Sequence, residues 1–164
     1  MKTSRVGSIA FLVTVLCSFS FNTRAEMGDI KVTSIAEVEV EVVNNGKKEI
    51  KRASPDRALP GAEVIFTNTF KNIGGKSASG IIINNQIPEH TEYKAGSAFG
   101  KNCSIIFSVD GGKVFDAAEN LKIRGADGKK HTAMPMQYTH IRWHYEGQLL
   151  AGRSGEVGFR AEIK

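Results

Sequence analysis

From Glu37 to Val42 valine and glutamate alternate without a break. An extended backbone carries those valines on one face and the glutamates on the other, whereas a helix would scatter them around its circumference. Asn45-Gly46 follows, two residues that accept positive φ, and residues 48–52 are placed to return as the second strand of a hairpin. Ser54-Pro55 and Leu59-Pro60-Gly61 then interrupt pairing.

The same reading continues along the chain. Val64-Ile65-Phe66-Thr67-Asn68-Thr69-Phe70 predicts a strand with Val64, Phe66 and Phe70 inward, closed by the turn residues Asn72-Ile73-Gly74-Gly75. Gly80-Ile81-Ile82-Ile83 is apolar on both faces, as a central strand would be, and Ile87-Pro88 ends it. Residues 91–94 form the next extended piece. Residues 103–109 and 113–115 flank Asp110-Gly111-Gly112, which reads as a hairpin. Residues 117–137 read as less regular, with loops at Gly125-Ala126-Asp127-Gly128 and Met134-Pro135. A last pair, 138–145 and 155–163, is joined by the turn-rich Leu150-Ala151-Gly152-Arg153-Ser154. No long amphipathic helix is present in this pattern. Many short strands separated by turns predict an all-β fold, a two-sheet sandwich of about seven to nine strands.

The beginning of the chain has a different character. Lys2 and Arg5 form a positive head, Ile9-Ala10-Phe11-Leu12-Val13-Thr14-Val15-Leu16 an apolar run, and residues 18–25 a polar stretch ending at Ala25. That layout predicts a secretory signal peptide over 1–25, with an apolar run too short to span a bilayer comfortably. The rival reading, a lipid anchor at Cys17, needs small residues before the cysteine and meets Leu16. Residues 26–59 then form an extended arm and hairpin and 60–164 the sandwich core, with 26–164 one domain. Beyond residue 25 no apolar run is long enough to span a membrane, and no tail for a wall anchor is expected after Lys164.

Removal of 1–25 takes away Lys2, Arg5 and Arg24, so 22 basic residues become 19 against 17 acids and the net charge falls from +5 to +2. The basic balance is therefore partly a targeting feature and gives no support to nucleic-acid binding. Of the 2 cysteines only Cys103 stays, so no internal disulfide can close; its strand-like neighbours favour burial over an intermolecular bridge.

Several segments carry a resemblance. Pro60-Gly61-x-x-Val64, Thr69-Phe70-Lys71-Asn72-Ile73-Gly74, Asn84-x-x-Ile87-Pro88-x-x-Thr91-x-Tyr93 and Gly96-Ser97-Ala98 resemble the conserved-repeat family of bacterial surface proteins, domain of unknown function 11. Ser108-Val109-Asp110-Gly111-Gly112-Lys113, Tyr138-Thr139-His140-Ile141-Arg142-Trp143 and Leu150-Ala151-Gly152-Arg153-Ser154-Gly155-Glu156-Val157-x-Phe159 are similar to its later segments. The resemblance covers about residues 37–164 and implies an immunoglobulin-like sandwich in an exported or cell-envelope protein of a bacterium. It brings no catalytic residues. This chain differs in its single copy and in His144-Tyr145, which argue against a repeat stalk.

Candidate chemistry is sparse. Ser108-x-Asp110-x-Gly112-x-x-Phe115 fits the Asp-box pattern, but once, where a propeller would repeat it. Ser108, Asp110 and Gly112 are expected to build a structural turn, and a calcium ion there would need more carboxylates. His140, Arg142 and His144 share one strand face, and Ile141, Trp143 and Tyr145 the other. Two histidines four residues apart on a strand lie roughly 13 Å apart, too far to share an ion unless His90 or His131 joins from a partner strand. Solvent-facing histidines are the expectation, with Trp143 in the core. No nucleophile elbow surrounds any serine. Glu37, Glu39 and Glu41 form a carboxylate row that Lys47, Lys48, Lys51 and Arg52 can answer across a hairpin. No catalytic residue, cofactor or metal ligand is expected, and the chain reads as no enzyme.

The functional expectation is a non-catalytic envelope module that binds another protein or itself. Val38, Val40 and Val42 are the candidate assembly residues, within an arm over residues 26–43 that can add to a neighbour's open sheet edge. The alternative is a carbohydrate- or wall-binding domain, for which Tyr93, Phe99, Tyr138 and Tyr145 are the candidate stacking rings.

Overall fold

The computed structural model describes residues 29–56 and 58–164. The expected signal peptide and the first residues of the arm lie outside them. β1 (Ile30–Asn44) and β2 (Lys47–Ala53) form the anticipated hairpin, turning through Asn45 and Gly46 at φ 50° and 77°. β1 is longer than the alternating stretch. Up to Val38 it pairs antiparallel with β3 (Glu63–Asn72), and from Val38 onward with β2. The arm is thus built into a sheet of its own chain.

β4 (Ala78–Ser79), β5 (Ile82–Gln86), β6 (Thr91–Tyr93), β7 (Phe99–Gly100) and β8 (Cys103–Ser108) follow. β9 (Lys122–Arg124) and β10 (Lys130–Thr132) make a small hairpin within the region read as irregular, and a 3-10 turn covers Pro135–Gln137. β11 (His140–Tyr145), β12 (Gln148–Leu149) and β13 (Ser154–Ile163) come last. The described residues are all-β, with several sheets and no closed barrel among them, and none of them form a helix long and apolar enough to cross a membrane.

The larger sheet runs β2-β1-β3-β13-β6, with β7 also on β13; the smaller runs β5-β11-β8. β11 and β13, consecutive long strands, therefore belong to different sheets, and the turn-rich link between them carries the chain across the core. The two sheets meet through aromatic side chains. Trp143 and Phe159, both 0% exposed, lie 6.4 Å apart by ring centroid, and Phe70 meets Tyr145 edge-on at 5.4 Å. Ile141, Val157 and Ala161 fill the space between them. Each fully buried large side chain of this layer contributes about 1.5–3 kcal/mol.

Two expectations are corrected. Gly80-Ile81-Ile82-Ile83 does not form a central strand. β5 is the edge of the smaller sheet, flanked by β11 on one side, and Ile82 is 48% exposed where Ile81 and Ile83 are buried, because alternation turns it to the uncovered outer face. Residues 113–115 do not return as a strand after Asp110-Gly111-Gly112. A single bridge, Phe107 to Asp116, is all that pairs there, because the amides that a ladder would use are taken by side chains of the turn. The described residues form thirteen strand segments, several of them only two or three residues long.

The flank where β1 and β5 lie is open on both sheets. β5 ends the smaller one. In the larger one β2 begins opposite Val38, so residues 30–37 of β1 have β3 on one side and no strand on the other among the described residues.

Candidate functional site

The Ser108, Asp110 and Gly112 turn is assembled as one unit. The Ser108 hydroxyl donates to Asp110 Oδ1 at 2.7 Å and accepts from the Gly112 amide at 3.0 Å. Asp110 Oδ1 also accepts from the amides of Lys113 and Val114, at 3.1 and 3.0 Å. These donors, led by the Val114 amide, hold the Asp110 carboxyl below its usual range. Every acceptor position of Oδ1 is thereby occupied by the chain's own donors. The turn braces the exit of β8.

The β11 faces are as the alternation predicts. Ile141 and Trp143 are completely buried, while His140, Arg142 and His144 are half-buried on the opposite side. Arg142 is held twice: its Nε donates to Asn84 Oδ1 at 2.7 Å, and its guanidinium carbon lies 3.7 Å from the Phe115 ring centroid. Neither extra histidine reaches this face. Among the described residues β11 pairs with β5 and β8 alone, His131 sits on β10 against Asp127 at 3.0 Å, and His90 occupies a turn at φ 63°. Among the described residues no group of three His, Cys, Asp or Glu side chains is placed to hold a metal ion.

The candidate stacking rings divide. Tyr93 and Tyr138 are buried with Phe107 in one aromatic cluster, 5.5 and 4.6 Å from it; the Tyr93 hydroxyl accepts from the Ala98 amide at 3.2 Å. Burial raises the Tyr138 phenol above its usual range. Tyr145 is half-buried against Phe70, and Phe99 is 42% exposed. Cys103 is a half-buried free thiol, pushed up in pKa first by burial and then by the charge of Glu146.

The carboxylate row is answered only in part by the hairpin. Glu41 pairs with Lys48 at 2.8 Å and Glu37 with Arg52 at 3.4 Å. Glu39 lies opposite Arg52 in register yet bonds Arg160 of β13, which also holds Glu63 at 2.6 Å. Glu63 is shared with Lys94 as well. The Arg160 hydrogen bond lowers the Glu39 carboxyl, those of Lys94 and then Arg160 lower Glu63, and the two carboxylates raise the Arg160 guanidinium. Arg160 was not visible as a partner from the sequence because 121 residues separate it from Glu39. Asn72 was missed likewise. Fully buried, it donates to the carbonyls of Lys76 and Leu149 at 2.7 and 2.8 Å and so ties β3 to β12.

Val38, Val40 and Val42 are half-buried on the inner face of β1. Val38 lies between Val64 of β3 and Ala53 of β2; Val40 and Val42 face Lys51 and Glu49 of β2. On the same face nearer the chain start, Ile30 and Val32 form one wall of an apolar cleft of about 390 Å³ whose other wall is Ala78, Ile81 and Ile83. Val32 is 46% exposed there. Next in the row, Ser34 donates to Asn68 Oδ1 at 2.6 Å, and the buried Asn68 Nδ2 has no hydrogen-bond partner among the described residues. Compared with protein-family models, curated proteins and solved structures, the chain finds no match.

Proposed function

We propose that this chain is an exported, non-catalytic, immunoglobulin-like sandwich module of a bacterial cell envelope that works by binding another protein or a further copy of itself. The observation that carries the reading is the open flank: a stretch of β1 with one edge free among the described residues, an edge strand β5 without charges, and an apolar cleft between them. Sheet edges of this kind take up strands from other chains unless charge, proline or a cover prevents it. The export half rests on the positive head, apolar run and small-residue end of residues 1–25. Membership of the conserved-repeat family belongs to the same proposal, supported by turn residues at Gly96 and at Gly111-Gly112, all with positive φ.

The glycan alternative draws less support, since two of its four rings are committed to the core. The test has two readouts. Expressed with a carboxy-terminal tag in a bacterial host, the chain is expected outside the cytoplasm with Glu26 as its first residue; a cytoplasmic product that keeps residues 1–25 ends the export half. A photo-crosslinking residue at position 35 is expected to give a protein adduct in the cell, and one at position 164 none. The reverse pattern ends the binding half.

A further inference from the structure

We infer that the binding surface is the free edge of β1 and that its occupant is a second copy of this chain, paired antiparallel about a two-fold axis at Ser34. The inference rests on the protein-binding reading above and names its partner.

The backbone decides which groups are on offer. The Asp29 carbonyl accepts from the Ile73 amide at 2.8 Å, so Asp29 and Ile73 are a hydrogen-bonded pair of the β1–β3 ladder. Alternation in an antiparallel ladder then turns residues 31, 33, 35 and 37 toward β3 and residues 30, 32, 34 and 36 outward. The same parity turns Val38 toward β2, where Ala53 lies opposite. Four residues of extended strand therefore present amides and carbonyls to the outside.

Charge decides the register. With Ser34 opposite Ser34 of the second copy, Lys31 falls opposite Glu37, Val32 opposite Ala36 and Thr33 opposite Ile35. Both copies make the Lys31–Glu37 match, so the edge is complementary to itself. A slip of two residues in one direction sets Asp29 against Glu37, like charge on like charge. A slip of two in the other direction sets Lys31 against Glu39 and Val32 against Val38, positions already covered by Arg52 and Ala53 of β2. A slip of one residue mismatches the outward groups and exchanges the faces. Of these registers, the one centred on Ser34 is left, and it alone makes the Lys31–Glu37 match twice.

The side chains agree with it. Val32 and Ile35 are 46% and 49% exposed on opposite faces of this stretch, and both gain neighbours across the axis. Ala36 of the second copy extends the cleft wall formed by Ile30 and Val32. By contrast β2, the remaining long edge of this sheet, carries Lys47, Lys48, Glu49, Lys51 and Arg52, the charge density that keeps an edge unpaired.

The test is sedimentation equilibrium of the naturally processed protein over a concentration series at low salt. A monomer–dimer equilibrium is expected. Val32→Pro removes one outward amide and no β3 hydrogen bond, and is expected to leave a folded monomer. Lys31→Glu and Glu37→Lys are each expected to weaken the dimer about tenfold, and the double reversal to return it to within about threefold of the original. The double reversal keeps the test decisive even where Val32→Pro fails to fold. A protein that stays monomeric at every concentration overturns the inference, as does a dimer that the double reversal does not rescue. A monomer found outside the cytoplasm with Glu26 first sinks this pairing and leaves the export reading standing; a dimer retained with residues 1–25 does the opposite.

Discussion

Arg160 on β13 reaches over the intervening strand β3 to bond Glu39 on β1, its Nη2 3.0 Å from Oε1, while its Nη1 holds Glu63 at 2.6 Å. One side chain thus links three neighbouring strands on the outer face of the larger sheet, with Lys94 attached through Glu63. Arg160→Met keeps much of the aliphatic stem and removes the charge. It is expected to lower stability by about 0.5–1 kcal/mol, near the upper end for partly exposed pairs, because Glu39 loses its Arg160 partner while Glu63 is left with Lys94. Urea unfolding checks the value, and high salt should shrink the difference between the two proteins.

The same carboxylates set a pH dependence. Glu39 and Glu63 have folded pKa values below their ordinary value of 4.5, so the unfolded chain takes up protons first as pH falls. Their contribution is fully present above pH 4.5 and is lost as pH drops through the folded values. Urea midpoints measured from about pH 6 to pH 2 should fall through that range. In Glu63→Gln the fall should be shallower; an unchanged slope would show that this carboxylate contributes nothing.

Asp110→Ala leaves the amides of Lys113 and Val114 and the Ser108 hydroxyl without their acceptor. A lower urea midpoint is expected, with a smaller drop for Asp110→Asn, which keeps an acceptor oxygen. Amide exchange offers a local check. Protection should drop first at Lys113 and Val114, with β13 little affected.

Gly155 lies opposite Phe70 in the β3–β13 ladder, and a methyl group added there would run into the Phe70 ring. Replacing a strand glycine by alanine ordinarily helps a strand. Here Gly155→Ala is expected to cost about 1–3 kcal/mol, because Phe70 is 1% exposed and has no room to move. Thermal unfolding would show a lowered midpoint; a raised one would mean that the ring yields.

Alternation made much of this architecture legible. The Val-Glu repeat of β1, the Asn45-Gly46 turn and the two faces of β11 each follow from a few adjacent residues, and local geometry decides them. Features that depend on distant segments were not legible. Nothing around Arg160 names Glu39 as its partner, and nothing in Gly80-Ile81-Ile82-Ile83 says that only one neighbour will flank it. The turn at Asp110 lay between these cases. Its residues announced a reversal correctly, but the same side chains that stabilise it consume the amides a return strand would have needed. The Ser108-Asp110-Gly112 turn could be read before its consequence could.

The placement of β13 has a bearing on how the molecule comes into being. It pairs with β3, β6 and β7, so the middle of the larger sheet is filled by a segment synthesised after every strand that surrounds it. Until residues beyond 153 emerge, β3 has only β1 beside it and Phe70 and Trp143 lack Phe159 and Val157 to close over them. Contacts this far apart along a polypeptide form slowly. A nascent chain of this design cannot complete its larger sheet until its last strand has been made.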